Sequence, residues 1–389
     1  MSRLSEMIAR LCPNGVEYKK LGEVARICRG VRVVRKELIE NGKYAVYQNS
    51  LKPLGYYGEA NVKGGTAFVI GAGAAGEVGY SEQDFWAADD CYYIDGGERL
   101  IGRYVYYCLT SRQDWLLGKV RKASIPRLSR DFIAALEIPL PPLPVQREIV
   151  QILDNFANLT AELTAELAKR KKQYEHYRDS LFSFGDDIPR IEIGNLTKVF
   201  SAARVHKNEW KKEGVPFYRS SDVTSWHNHI ENPRGKVFIS HELFEKLSAK
   251  SGKFHEGDVF VTGGGSIGLP YILPFEGPFY VKDADLICIQ KTDRFESKFL
   301  FYYFMSTEFR DYLNTVSHGA TIAHYTISQV EKTLVPLPPI AEQRRIIALL
   351  DRFDALCNSL TEGLPAEIAF RKKQYEYYRD KLLSFKEVG

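Results

Sequence analysis

The chain is written twice. The stretch IPLPPLPVQREIVQILDNF at 138–156 returns as VPLPPIAEQRRIIALLDRF at 335–353, and RKKQYEHYRDSLFSF at 170–184 returns as RKKQYEYYRDKLLSF at 371–385. The offsets are 197 and 201 residues, so the second copy carries four extra residues, near TEGLPAE. Fainter echoes precede each copy: KLGEVARI (20–27) and EIGNLTKV (192–199), AVYQNS (45–50) and PFYRSS (216–221), AFVIGAGAAG (67–76) and VFVTGGGSIG (259–268), RYVYYCL (103–109) and KFLFYYF (298–304). Each half must therefore solve the same folding problem. The layout is variable unit 1–137, repeated segment 138–185, variable unit 186–334, repeated segment 335–389.

The repeated segments read as long helices. After Pro144, apolar side chains fall at Ile149, Ile152, Phe156, Leu159, Leu163, Leu167, Tyr174, Tyr177, Leu181 and Phe184, with Arg170 in the one missing place. Steps of three and four alternate, apart from one doubled four, which is a heptad seam with a single stutter. The pattern predicts a helix of about 40 residues, roughly 60 Å long at 1.5 Å per residue. Such a seam must be covered, and the natural cover is the other copy. That copy keeps the seam through Ile346, Leu349, Phe353, Leu356 and Leu360, then through Arg371, Tyr375, Tyr378, Leu382 and Phe385. Gly363 and Pro365 interrupt it, which predicts a kink near 361–366. The runs PLPPLP and PLPP before the helices read as extended spacers. Antiparallel pairing is expected, because the second variable unit must carry the chain back to the start of the second helix. The expected fold class is α+β: two α/β domains separated by two long antiparallel helices in a coiled coil, with pseudo-two-fold internal symmetry.

The variable units hold short apolar runs rich in Val, Tyr and Phe and broken by Gly and Pro, which predicts strands with a few helices. SKFLFYYFMSTEFRDYL (297–313) reads as helical, its aromatics as core. Gly71, Gly73 and Gly76 have G-x-G-x-x-G spacing, and Asp90 lies 19 residues after Gly71. A dinucleotide site needs a helix after the glycines. Here Val78, Tyr80, Phe85 and Trp86 miss helical spacing, and the second glycine loop runs into Leu269 and Pro270. Two equivalent turns between strands fit better.

Other chemistries are not written in the chain. There is no G-x-x-x-x-G-K-[ST], and NPR at 232–234 is not the N-P-P-[FY] of a methyltransferase. HELFE (241–245) lacks the second His of a zinc protease, and Glu296-Ser297-Lys298 has no framing strand pattern for a nuclease E-x-K. Six scattered cysteines without a C-x-x-C pair argue for a reducing compartment and against a disulfide framework or zinc site. No leader-like segment opens the chain and no apolar run is long enough for a membrane. The expectation is a cytoplasmic protein with no catalytic residue, no cofactor, no metal and no membrane partner.

The repeated P-L-P-P … Q-R-x-I … L-D-x-F followed by R-K-K-Q-Y-E-x-Y-R-D-x-L-x-S-F resembles the spacer regions of the specificity subunit of type I restriction–modification systems, and LCPNGVEYKKLGEV (11–24) resembles one end of a recognition domain. The resemblance covers essentially the whole chain. It implies that each variable unit recognises one half of a split double-stranded DNA site. It implies further that the paired helices set the gap and dock two modification (methyltransferase) subunits, joined by restriction subunits carrying nuclease and translocase. The subunit itself would be non-catalytic. A paired-helix structural adaptor that binds no DNA is the alternative, favoured by a net charge of only +4.

Phosphate contacts supply affinity and base-edge contacts supply sequence. The first variable unit nets +4 (20 basic, 16 acidic) and the second −1 (18 basic, 19 acidic). Two runs hold five basic and no acidic residues each: 26–36, with Arg26, Arg29, Arg32, Arg35 and Lys36, and 119–130, with Lys119, Arg121, Lys122, Arg127 and Arg130. The second unit offers Arg204, His206 and Lys207, with Lys211 and Lys212 close by. ASIPRL (123–128) faces ATIAHY (320–325), which nominates His324 and Tyr325 beside Arg127. The loops YQNS and YRSSD add Gln48, Asn49 and Arg219, side chains suited to base edges.

Overall fold

In the computed structural model, the described residues are 3–219, 221, 222, 225, 237–274, 276–282, 286–317, 324–359 and 363–388. They form two compact units, residues 1–164 with 367–389 and residues 165–366. The boundaries cut the repeated segments midway rather than at the ends of the variable units.

The two units repeat one topology. In the first, a four-stranded antiparallel sheet runs in the order Arg26–Arg29, Cys91–Asp95, Thr66–Ile70, Val78–Ser81. In the second the order is Val199–Ser201, Leu286–Ile289, Val259–Thr262, Pro270–Ile272. Each unit adds a three-stranded sheet whose central strand, Tyr44–Tyr47 or Val215–Tyr218, pairs antiparallel on one side and parallel on the other. A two-stranded neck closes each: Tyr18–Lys20 on Glu137–Pro139, and Arg190–Glu192 on Leu334–Pro336. The prolines beyond the neck end the pairing and lead into the helices.

The glycine loops are turns, as their sequence implies. Gly73 (φ 83°) and Gly76 (φ 90°) turn Thr66–Ile70 back onto Val78–Ser81, and Gly265 (φ 72°) and Gly268 (φ 73°) do the same in the second unit. A side chain is disfavoured at such angles. A strand, not a helix, follows each loop.

The first repeated segment is one unbroken 40-residue helix, Leu143–Phe182. The second is two helices, Ile340–Asn358 and Gly363–Leu382, with residues 360–362, Leu360 among them, outside the described set. Gly363 has φ 74° and Pro365 sits in the first helical turn, where its missing donor costs little. In the first unit Phe156 stacks on Tyr378, centroids 5.3 Å apart; in the second Tyr177 stacks on Phe353, also at 5.3 Å. Partner numbers fall as the first helix advances, so the repeated segments run antiparallel.

The seam needs correcting in detail. Ile149, Ile346 and Tyr174 are buried, but full burial falls on Leu153, Leu350 and Cys357 instead of the neighbouring Ile152, Leu349 and Leu356. Leu356, Leu159 and Tyr177 are exposed, and Leu163, Leu181, Tyr375, Tyr378 and Leu382 are half-buried. The cause is competition for faces. Val145, Ile149 and Leu153 enter the first unit's globular core together with Leu383, and Ile346 and Leu350 enter the second's. The helix-on-helix stripe lies beside that face.

The aromatic stretch at 297–313 is two helices, Ser297–Met305 and Thr307–Ser317, and Phe299, Tyr302, Tyr303, Phe304 and Phe309 are core as expected. No described helix is long and apolar enough to cross a membrane.

Candidate nucleic-acid interface

Two loops gather the basic segments of the first unit. Residues 87–91 hold the first run: the Val31 amide donates to Ala87 O (2.9 Å), the Gly30 amide to Cys91 O (3.0 Å), and Arg29 Nε to Asp89 O (2.7 Å). The Ala88 amide donates to Tyr47 O (2.9 Å), fixing the start of YQNS. The Gly71 amide donates to Asp90 O (2.7 Å), which ties in the glycine loop. That loop holds the rest: the Ala74 amide donates to Asn49 O (2.9 Å), the Gly73 amide to Pro126 O (3.1 Å), and the Leu128 amide to Gly71 O (2.8 Å). A Cβ on Gly73 would lie 2.7 Å from Asn49 O, so glycine permits this approach. Three segments far apart in sequence thus become one connected surface.

On that surface Arg32, Arg35, Lys36, Asn49, Lys119, Arg121, Lys122, Arg127 and Arg130 are exposed and Gln48 is half-buried. Lys119 Nζ lies over the rings of Trp115 (5.3 Å) and Phe132 (5.9 Å). Arg26 stands apart. It occupies the other end of its strand from Arg29, with Nε 3.2 Å from Asp95 Oδ2, and its charge is already answered there.

The second unit repeats the frame. The Lys282 amide donates to Tyr218 O (2.8 Å) as Ala88 does to Tyr47, and the Tyr325 amide donates to Gly263 O (2.9 Å) as Leu128 does to Gly71. The short 3-10 turn Arg35–Glu37, whose Glu37 accepts from the Val34 amide, returns as Lys207–Glu209, whose Glu209 accepts from the His206 amide. Arg204, His206, Lys207 and His324 are exposed. Arg219 is largely enclosed against Asp222, with Nε 3.1 Å from its carboxylate. The Tyr325 expectation is corrected: its ring is 1% exposed, lies in the core against Phe309, and its hydroxyl pairs with Thr333. It takes the place of buried Leu128, and the exposed partner of Arg127 is His324 alone. The neighbouring residues 318–323 lie outside the described set.

A second constellation escapes a motif reading because its residues look like helix surface. Gln146 is fully buried; its Oε1 accepts from the Ile101 amide (3.0 Å) and its Nε2 donates to Arg99 O and Pro141 O (both 2.9 Å). Gln343 does the same, accepting from the Glu296 amide (2.9 Å) and donating to Pro338 O (2.9 Å). Two turns on, Asp154 receives Arg103 Nε (2.7 Å) and the Tyr107 hydroxyl, and Asp351 receives Lys298 Nζ (2.7 Å) and the Tyr302 hydroxyl (2.6 Å). Burial, reinforced by these carboxylates, drives both phenols well above their ordinary range, so they stay protonated donors. The Q-R-x-I … L-D-x-F motif is thereby accounted for: Gln and Asp clamp each helix start to the aromatic helix of its domain, Ile and Leu fill the core, and Phe meets the other helix. Glu296 and Lys298, the E-x-K residues, belong to this clamp; Glu296 Oε1 also accepts from Arg344 Nε (2.7 Å). The signal was a polar pair kept in both copies on a face that turns out to be buried.

Among the described residues no group of three His, Cys, Asp or Glu could hold a metal ion. The chemistry on offer is recognition of an anion by exposed guanidinium and ammonium groups, with Gln48 and Asn49 carried on the same backbone network.

Comparison with known proteins agrees on the family. The type I restriction modification DNA specificity domain matches twice, at residues 13–170 and 187–369. A type I restriction enzyme specificity subunit from Haemophilus influenzae is 31% identical, covering 95% of this chain and 96% of its own. The EcoR124I/EcoR124II specificity subunit of Escherichia coli is 33% identical over 73% of this chain and 70% of its own. Among solved structures, the S subunit of a type I system from M. genitalium superposes with a TM-score of 0.55 at 16% identity, covering 95% of this chain and 96% of that one. A chain from a study of type I assembly and conformational transition superposes with a TM-score of 0.64 at 16% identity, covering 95% and 98%. At that identity the structures speak to the fold.

Proposed function

The chain belongs to the type I restriction–modification DNA specificity family, and from that premise we propose that it reads a bipartite site in duplex DNA, one half per variable unit. In this reading residues 1–137 and 186–334 are the recognition domains. Residues 138–185 and 335–389 are the spacers that set the distance between half-sites and dock two modification subunits, to which restriction subunits add. The chain contributes recognition and no catalysis of its own, and its place is the cytoplasm.

The observation that carries the reading is the convergence of 29–36, 47–50 and 119–130 on two loops, with exposed basic side chains and the same backbone frame in the second unit. Such side chains suit phosphates, and Gln48 and Asn49 on the same backbone network suit base edges. The adaptor alternative draws on the second unit's net charge of −1. Binding of the full chain to duplex DNA across a salt series separates the two. DNA recognition predicts a steep linear fall of log affinity with log salt, with a slope of about −0.9 per phosphate contacted. No measurable duplex binding at low salt would favour the adaptor.

A further inference from the structure

We propose that Ile125 is a base-reading residue: the tip of the first unit's basic hairpin enters the major groove and seats this side chain on the methyl group of a thymine. The inference rests on the DNA-recognition reading above and deepens it.

The tip is built on a fixed base. Arg121 and Arg127 exchange both backbone hydrogen bonds (2.8 and 3.2 Å), and Arg127 also bridges Ala72 on its other side. Pro126 O is held by the Gly73 amide. Residues directly opposite each other project from the same face, so two guanidinium groups flank the tip Lys122–Pro126. Ile125 stands there 53% exposed, in a stretch with five basic and no acidic residues. A lone exposed apolar side chain is ordinary on a protein surface. Here it crowns an anchored, charged projection and belongs to none of the apolar clusters of the described residues, so more than half of its surface stays in water without a core to join.

Groove dimensions choose the contact. The major groove, about 12 Å wide, admits a two-stranded ribbon, whereas the minor groove is about 6 Å wide. Flanking arginines meet phosphates there, and the apolar feature a base pair shows in that groove is the thymine C5-methyl. The duplication keeps the residue type: Ile125 faces Ile322, which lies outside the described residues.

The test begins with a duplex enriched from a random-sequence library by the full chain. Each thymine in the selected site is then replaced singly by uracil, which removes one methyl and leaves pairing intact. One replacement is expected to weaken the wild-type chain about fourfold, the value of one buried methyl-sized group, and to leave Ile125→Ala unaffected. Ile125→Ala should itself bind about fourfold more weakly with an unchanged salt slope, because an apolar contact releases no counterions. Its melting temperature should match wild type. The proposal is overturned if Ile125→Ala binds as wild type, if uracil acts equally on both proteins, if the selected site lacks thymine, or if the variant melts early. It is also overturned if the variant loses only a modification subunit. Failure to enrich any duplex is a different result and removes the recognition reading itself.

Discussion

The same clamp is built twice, and the two builds differ in how much water they admit. Around Asp154 the basic partner is Arg103, whose side chain is 22% exposed and whose guanidinium lies 4.6 Å from the Tyr80 ring centroid and 5.3 Å from those of Tyr106 and Tyr107. Around Asp351 the partner is Lys298, 56% exposed. A planar guanidinium can stack and bond at once, whereas a flexible ammonium serves as a point charge. Duplication thus preserved the geometry that fastens each helix to its domain while letting the chemistry drift. The outer surfaces differ more: Arg127 in one copy stands where His324 stands in the other, and the variable units net +4 and −1.

The comparison can be broken by removing its shared parts. The largest effect is expected from Gln146→Ala, which strips one amide hydrogen and two carbonyl oxygens of their buried partner. The cost is about 3 kcal/mol, a fall in melting temperature of roughly 6–12 °C for a unit of this size. Thermal unfolding within a degree or two of wild type would mean that Gln146 does not hold the helix start.

The clamp carboxylates come next, and here the copies should separate. Asp154→Ala leaves Tyr107 and Arg103 without their shared acceptor in a drier setting, at a cost of about 2 kcal/mol; Asp351→Ala, with its lysine in water, costs about 1 kcal/mol. Chemical denaturation of both variants measures the difference. Equal losses would show that exposure of the basic partner does not matter.

The outer surface gives the smallest change. Arg127→Ala should weaken duplex binding about fivefold at moderate salt and reduce the magnitude of the salt slope by about 1, whereas His324→Ala should do less, because an imidazole offers fewer and shorter-reaching donors than a guanidinium. A titration showing His324→Ala as the more damaging would place the dominant contact in the second unit.

What was legible in the sequence follows from period and identity. The 40-residue helix and the glycine turns announce themselves through local rules, because 3.5-residue spacing and left-handed glycine need no tertiary information; the antiparallel pairing followed instead from the duplication, which makes the chain return before the second helix begins. The seam's exact positions did not, because a helix with two partners divides its faces between them. Leu153 and Leu350 serve the globular cores, while Phe156 and Phe353 serve the other helix. The clamp was hidden for a related reason. A Gln or Asp on an amphipathic helix reads as solvent face until a neighbouring domain covers it, as happens to Gln146 and Gln343. Tyr325 aligns with Leu128, not with Arg127, and both are buried, at 1% and 2% exposure; adjacent residues of extended backbone face opposite ways, so the role of Arg127 passes to His324 and not to Tyr325.

Adenine and cytosine methylation mapped across the host genome, with the intact gene and without it, tests the central claim most directly. The account predicts a motif in two parts separated by a fixed gap, absent when the protein is absent, with Arg127→Ala relaxing one part and leaving the other intact. A single uninterrupted motif, or a methylation pattern indifferent to the protein, would contradict it.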